Sequence, residues 1–154
     1  MKALLLLLAG CGVIDRPVVA YPEGAALARS YANTINLKAG VNALSIEPCD
    51  TLAARCITVE RTDPFVDDNA EMLSQDTVAE TEMDPTRPSI TFSSRALRRL
   101  NTATLHLVML HELGHALGAK HAGGAENIMT HDLATTLPLD VAIEQVAAIA
   151  RGVK

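Results

Sequence analysis

The sequence predicts an α+β fold in one domain, and three observations carry that prediction. Its 154 residues, 49% of them hydrophobic, suffice for one buried core and are too few for a second independent domain. Short β-type runs, "NALSIEP", "CITVERT" and "PSITFSS", occupy the middle of the chain. Longer stretches with apolar residues at helical intervals lie before and after them. Aromatic residues make up only 3% and tryptophan is absent, so Leu, Ile, Val, Ala and Met must build the core. The net charge of -5 provides no basic stripe for a phosphate backbone, which argues against nucleic acid as a partner.

The chain begins "MKALLLLLAGC": one lysine, five leucines, then small residues leading into Cys11. This apolar run is too short to span a bilayer and has the length and flanks of a signal-peptide core. Its end resembles the lipobox of bacterial lipoproteins. That resemblance implies a signal peptide over residues 1–10, lipidation of Cys11, and an exported protein anchored to a bacterial cell membrane. Gly12 in place of Asp implies the outer membrane where a cell has two. An ordinary secretory signal with an incidental cysteine is the alternative. Residues 11–22 then form the lipidated cysteine and a tether, ending in an edge strand at Val18 to Ala20, and the folded domain covers 23–154.

Residues 23–37 place Ala26, Leu27, Tyr31, Thr34 and Ile35 on one helical face, and Gly40 is the expected stop. The runs around Cys49 and Cys56 read as a hairpin with "DTLAAR" as its turn. In an exported protein this even pair is by default a disulfide, with two free buried thiols as the alternative. Closing so short a loop stabilises the fold by roughly 2–3 kcal/mol in the chain-entropy model. The pair alone lacks the ligands and the CxxC spacing of a zinc site.

From Glu60 to Asp84 the chain is acidic and aperiodic, and it reads as a long surface loop. Asp63, Asp67, Asp68 and Asp76 could offer oxygens to calcium, although no EF-hand spacing is present, and a solvated loop is the plainer reading. "PSITFSS" is the clearest strand, and Arg95 to Arg99 form a connector or a short helical turn. Asn101 or Thr102 can cap a long helix carrying Leu105, Val108, Met109, Leu110 and Leu113, which Gly118 ends. "LPLDVAIEQVAAIARG" is a second helix, with Val141, Ile143, Val146 and Ile149 available for burial.

The chemistry concentrates in "HELGHALGAKH", residues 111–121. On a helix His111 and His115 share one face, about 6 Å apart along the axis, so two imidazoles can reach one ion. Glu112 lies about 100° around the axis, flanking the ion, where it suits a base acting on a metal-activated water. A continuous helix would turn His121 away. Gly118 can adopt the left-handed conformation that stops the helix, and His121 could then return as third ligand. Three imidazoles with an open position are the donor set of a catalytic zinc site, whereas structural sites are closed by four ligands. HExxHxxGxxH fixes five positions, each held by a residue type below about one in ten of average usage, so a chance match in this chain is very improbable.

These residues closely match the signature of the metzincin zinc metallopeptidases, and "HELGHALGAKH" looks most like the matrixin-type members. The resemblance implies a small metzincin-like domain: a twisted sheet, the active-site helix, a Met-turn and a C-terminal helix. It implies a zinc endopeptidase in which His111, His115 and His121 bind the metal and Glu112 is the general base. Met129, in "ENIMTHD", would be the Met-turn residue beneath the metal. His131 occupies a position where astacins and serralysins place a tyrosine, and it could donate to the oxyanion or visit the metal; a partly exposed turn histidine is the plainer reading. The run 89–93 resembles the edge strand that pairs with an extended peptide substrate. Ala122, where matrixins usually have Ser, and Leu137-Pro138, where relatives often have Ser-Pro, depart from the pattern, with Thr136 a partial substitute for that cap. His106 carries no assigned chemistry. The competing expectation is a membrane-anchored, zinc-containing binding module without turnover.

Overall fold

The computed structural model describes residues 18–49, 52–62, 78–124, 126–131 and 137–153. Cys11 and its lipobox, the aspartates at 63, 67, 68 and 76, and Thr136 lie outside them. The described elements follow the order β1 (Val18–Ala20), α1 (Pro22–Ala39), β2 (Leu44–Ile46), β3 (Arg55–Thr62), β4 (Ala79–Glu82), β5 (Ser89–Ser93), α2 (Ser94–Leu97), α3 (Thr102–Ala116) and α4 (Leu139–Arg151). This is the α+β arrangement expected of a small metzincin-like domain. Among the described residues no helix is long and apolar enough to cross a membrane.

The strands run β1-β3-β5-β4 across the sheet, with β2 also paired to β3. β3 and β5 are parallel, β1 and β4 antiparallel to their neighbours. Alternation decides the two faces: Ile57 and Val59 of β3 and Ile90 and Phe92 of β5 turn to one side and are buried there. Helices α1 and α3 cover that side, and α4 packs on both helices. Since α3 is enclosed by sheet, α4 and its own return loop, it is buried almost all round, from Leu107 to Gly114. An apolar stripe on one face would not have sufficed.

Local chemistry sets the helix ends. Asn101 accepts from the Thr104 N–H and so caps α3, as expected of an N-cap amide. α1 ends at Gly40, whose φ of 69° is left-handed. Just before that end, the Asn36 side-chain oxygen accepts from the Ala43 and Leu44 N–H groups while its amide donates to the Leu44 carbonyl. One side chain thereby fixes the start of β2 against α1.

Several expectations need correction. β2 and β3 form no hairpin: they are parallel, with Leu44 beside Arg55 and Ile46 beside Ile57. Because β2 has only three residues, the segment 47–54 is long enough to bring the chain back to its starting end. Cys49 and Cys56 are joined by a disulfide across that return, with Cα atoms 5.7 Å apart. The acidic stretch 60–84 is not all loop, since β3 continues to Thr62 and β4 occupies Ala79–Glu82. β5 is not an edge strand: β3 and β4 flank it, and among the described residues β4 is the edge. The buried face of α1 uses Ala28 and Ala32 instead of Ala26, and that of α4 uses Ala142, Val146, Ala147 and Ala150, with Val141 exposed. Alanine fits both faces because the two helices approach each other closely. β1, by contrast, is the edge strand expected at Val18 to Ala20, and it pairs with β3.

Candidate active site

His111, His115 and Glu112 project from the last two turns of α3, and His111 and Glu112 are each only 5% exposed. After Leu117, Gly118 takes a φ of 95°, where a side chain would be strained, and the chain doubles back. His121 thereby returns to the helical pair. The Nε2 atoms of His115 and His111 lie 3.0 Å apart and those of His115 and His121 3.1 Å apart. Among the described residues this trio is the group of side chains able to share one metal ion.

The opposite edges of the rings are held by the backbone. The Nδ1–H of His111 donates to the Ile128 carbonyl at 2.7 Å, and that of His115 to the Ala119 carbonyl at 2.8 Å. Each bond fixes the tautomer and leaves the Nε2 lone pair facing the shared centre. Burial pushes the His111 imidazole down to about 4, against the opposing pull of the Ile128 carbonyl, so the ring is neutral and ligand-ready at neutral pH.

Met129, 3% exposed, packs against Gly114 of α3 in a turn that Asn127 organises by accepting from the Met129 N–H. Gln145 of α4 clamps the same turn: its side-chain oxygen accepts from the Ile128 N–H and its amide donates to the Glu126 carbonyl. Ala122, just after His121, donates its N–H to the Met129 carbonyl, joining the ligand loop to the turn. Gly114 faces Met129 so closely that a β-carbon there would stand 2.4 Å from the sulfur. His131 is exposed at the rim with its ring 5.1 Å from that of His121, and it stands outside the trio. His106 meets the Tyr31 hydroxyl at 2.6 Å through Nδ1, away from the centre.

Two features were not foreseen. Gly114 had a signal, since a mid-helix glycine is unfavourable unless something packs where its side chain would be. Thr81 of β4 had none: its hydroxyl donates to Oε2 of Glu112 at 2.5 Å, a contact made only by the folded sheet. Burial pushes the Glu112 carboxyl above the usual carboxylate range, while the Thr81 bond and His115 pull it back.

Residues 47–149 match the matrixin family of peptidases, about two thirds of the chain, including every residue of this centre. The chain belongs to the matrixin family. No curated protein and no solved structure matches it. Matrixins are zinc-dependent peptidases, and the donor set fits that ion: tetrahedral zinc with Zn–N bonds of about 2.0–2.1 Å sets its nitrogens a little over 3 Å apart. The observed spacing of 3.0 and 3.1 Å, with two rings braced from behind, could hold zinc with little rearrangement.

The low His111 value has a measurable consequence in metal-free protein. The unfolded imidazole takes up a proton near pH 6.5 and the folded one only near pH 4, so stability is lost as pH falls through that window. Glu112 has the opposite sign, because its raised value contributes stability at low pH that is lost as pH rises. Denaturation midpoints of the metal-free Glu112→Gln protein isolate the histidine effect. They are expected to fall steadily between about pH 6.5 and 4, and a flat profile would contradict burial of a neutral His111.

Proposed function

We propose that this matrixin is a zinc-dependent endopeptidase with Glu112 as its general base. The observation that carries the reading is a buried carboxylate beside the three-nitrogen ligand set but outside it. Zinc held by His111, His115 and His121 would supply Lewis-acid activation of a water molecule and of the substrate carbonyl. Glu112 takes the proton that the attacking water sheds as it adds to the carbonyl carbon, then delivers it to the departing amine nitrogen. Its raised proton affinity suits both halves of that shuttle. His131, at the rim beside His121, could donate to the oxyanion.

The substrate, a peptide or protein in extended form, adds to the side of β4 away from β5. Among the described residues no strand pairs with that side. Backbone hydrogen bonds there would supply affinity, and the alternating side chains selectivity. The reading includes export and a lipid anchor at Cys11, supported by the leader "MKALLLLLAGC"; the Cys49–Cys56 disulfide accords with an oxidising compartment.

Incubating residues 12–154 with a mixed peptide library tests the activity. Cleavage that a chelator stops and zinc restores is the expected result. A folded, zinc-loaded protein that cuts no peptide would instead favour a zinc-containing binding module.

A further inference from the structure

Strand β4 does more than offer an edge. Its register with β5 sets Thr81 opposite Ile90, which is fully buried on the helix-facing side of the sheet. Alternation therefore sends Thr81 toward α3 and leaves Glu80 and Glu82 exposed on the other face. Thr81 meets Glu112 there: its hydroxyl donates to Oε2 at 2.5 Å and lies 3.3 Å from the Glu112 backbone carbonyl.

A glutamate on a helix has three rotatable side-chain bonds, and a carboxylate swinging among rotamers would seldom meet a reacting water correctly. A single hydroxyl bond to one oxygen removes most of that freedom and leaves the second oxygen for the proton. The donor is neutral, so it holds the carboxylate without the strong loss of basicity that a lysine or arginine would impose.

We propose that Thr81 is a positioning residue for Glu112, tying the orientation of the base to the strand on which substrate pairs. The role rests on the peptidase reading above. An extended peptide bonded to β4 would stiffen the strand that carries Thr81, so a correctly seated substrate itself would help to orient the base.

The test compares wild type, Thr81→Val and Thr81→Ser on one peptide that the wild type cleaves, with zinc affinity measured for each. Valine keeps the branched shape without the donor, and serine keeps the donor. In Thr81→Val, kcat is expected to fall roughly ten- to hundredfold, the scale of a misplaced catalytic group, with KM and zinc affinity little changed. Thr81→Ser is expected to recover most of the loss. A readout free of turnover accompanies it: denaturation midpoints of metal-free wild type, Thr81→Val, Glu112→Ala and the double variant should be non-additive, because each single change removes the bond the two side chains share. Cleavage by Thr81→Val equal to wild type, a loss confined to KM, or additive midpoints would overturn the positioning role alone. No cleavage by zinc-loaded wild type would instead remove the peptidase reading, and this role with it.

Discussion

Glu112→Gln is expected to lower kcat/KM for peptide cleavage by about 10²–10⁴-fold, the range contributed by a positioned acid–base group. Zinc binding should be unchanged. Glutamine matches the size of glutamate and still offers an oxygen to the Thr81 hydroxyl, so the fold and the contact at 2.5 Å survive. What it lacks is a site for the proton. The three ring nitrogens converge without Glu112, and for that reason the variant separates metal binding from chemistry. Parallel measurement of kcat/KM and zinc content checks both halves. Undiminished activity would show that the proton goes elsewhere, while loss of zinc along with activity would show that the carboxylate supports the ligands.

Gly114→Ala should disturb the centre through Met129. In an exposed helix this change favours folding by roughly 0.5–1 kcal/mol. Here the new methyl would sit 2.4 Å from the Met129 sulfur and 3.2 Å from its terminal carbon, in a turn clamped by Asn127 and Gln145. Overpacking of that kind costs about 1–3 kcal/mol, so a net loss of stability is expected. The displaced turn also carries the Ile128 carbonyl that accepts from His111, and disturbing such a partner typically costs roughly 10–100-fold in metal affinity. Thermal denaturation and zinc competition read the two effects. In a Met129→Ala background the obstruction is gone, and Gly114→Ala should become neutral or stabilising. Destabilisation that persists there would contradict the Met129 side chain as the source of the conflict, since the next neighbour, Ile149 at 3.8 Å, is in ordinary contact.

The features legible from sequence were those written in one continuous segment. The α3 helix, its Asn101 cap, the reversal at Gly118 and the return of His121 follow from spacing and from the conformational freedom of one glycine. What escaped depends on partners distant in the chain. Whether β2 and β3 run parallel or antiparallel is set by how segment 47–54 loops back, and the β-type runs are the same in either case. β4 hid inside an acidic stretch because its four residues, Ala-Glu-Thr-Glu, alternate without a single large apolar side chain. The strongest β pattern, Ser89–Ser93, lies in the interior of the sheet, where strong β-formers belong, and not at the edge its resemblance implies. Alanine faces are hard to read for a related reason: Ala28, Ala32, Ala142 and Ala147 are buried because helices meet there, which hydrophobicity alone does not reveal.

Zinc titration of the chelator-stripped protein, beside His121→Ala, probes the histidine centre most directly. His121 joins the trio only because Gly118 turns the chain back, so its contribution reports the whole local fold as well as the metal. One tightly bound zinc per wild-type chain is expected, with a large loss of affinity in a His121→Ala protein that remains folded. A folded wild-type chain that takes up no zinc, or a His121→Ala variant that binds it as tightly as wild type, would contradict the centre described for "HELGHALGAKH".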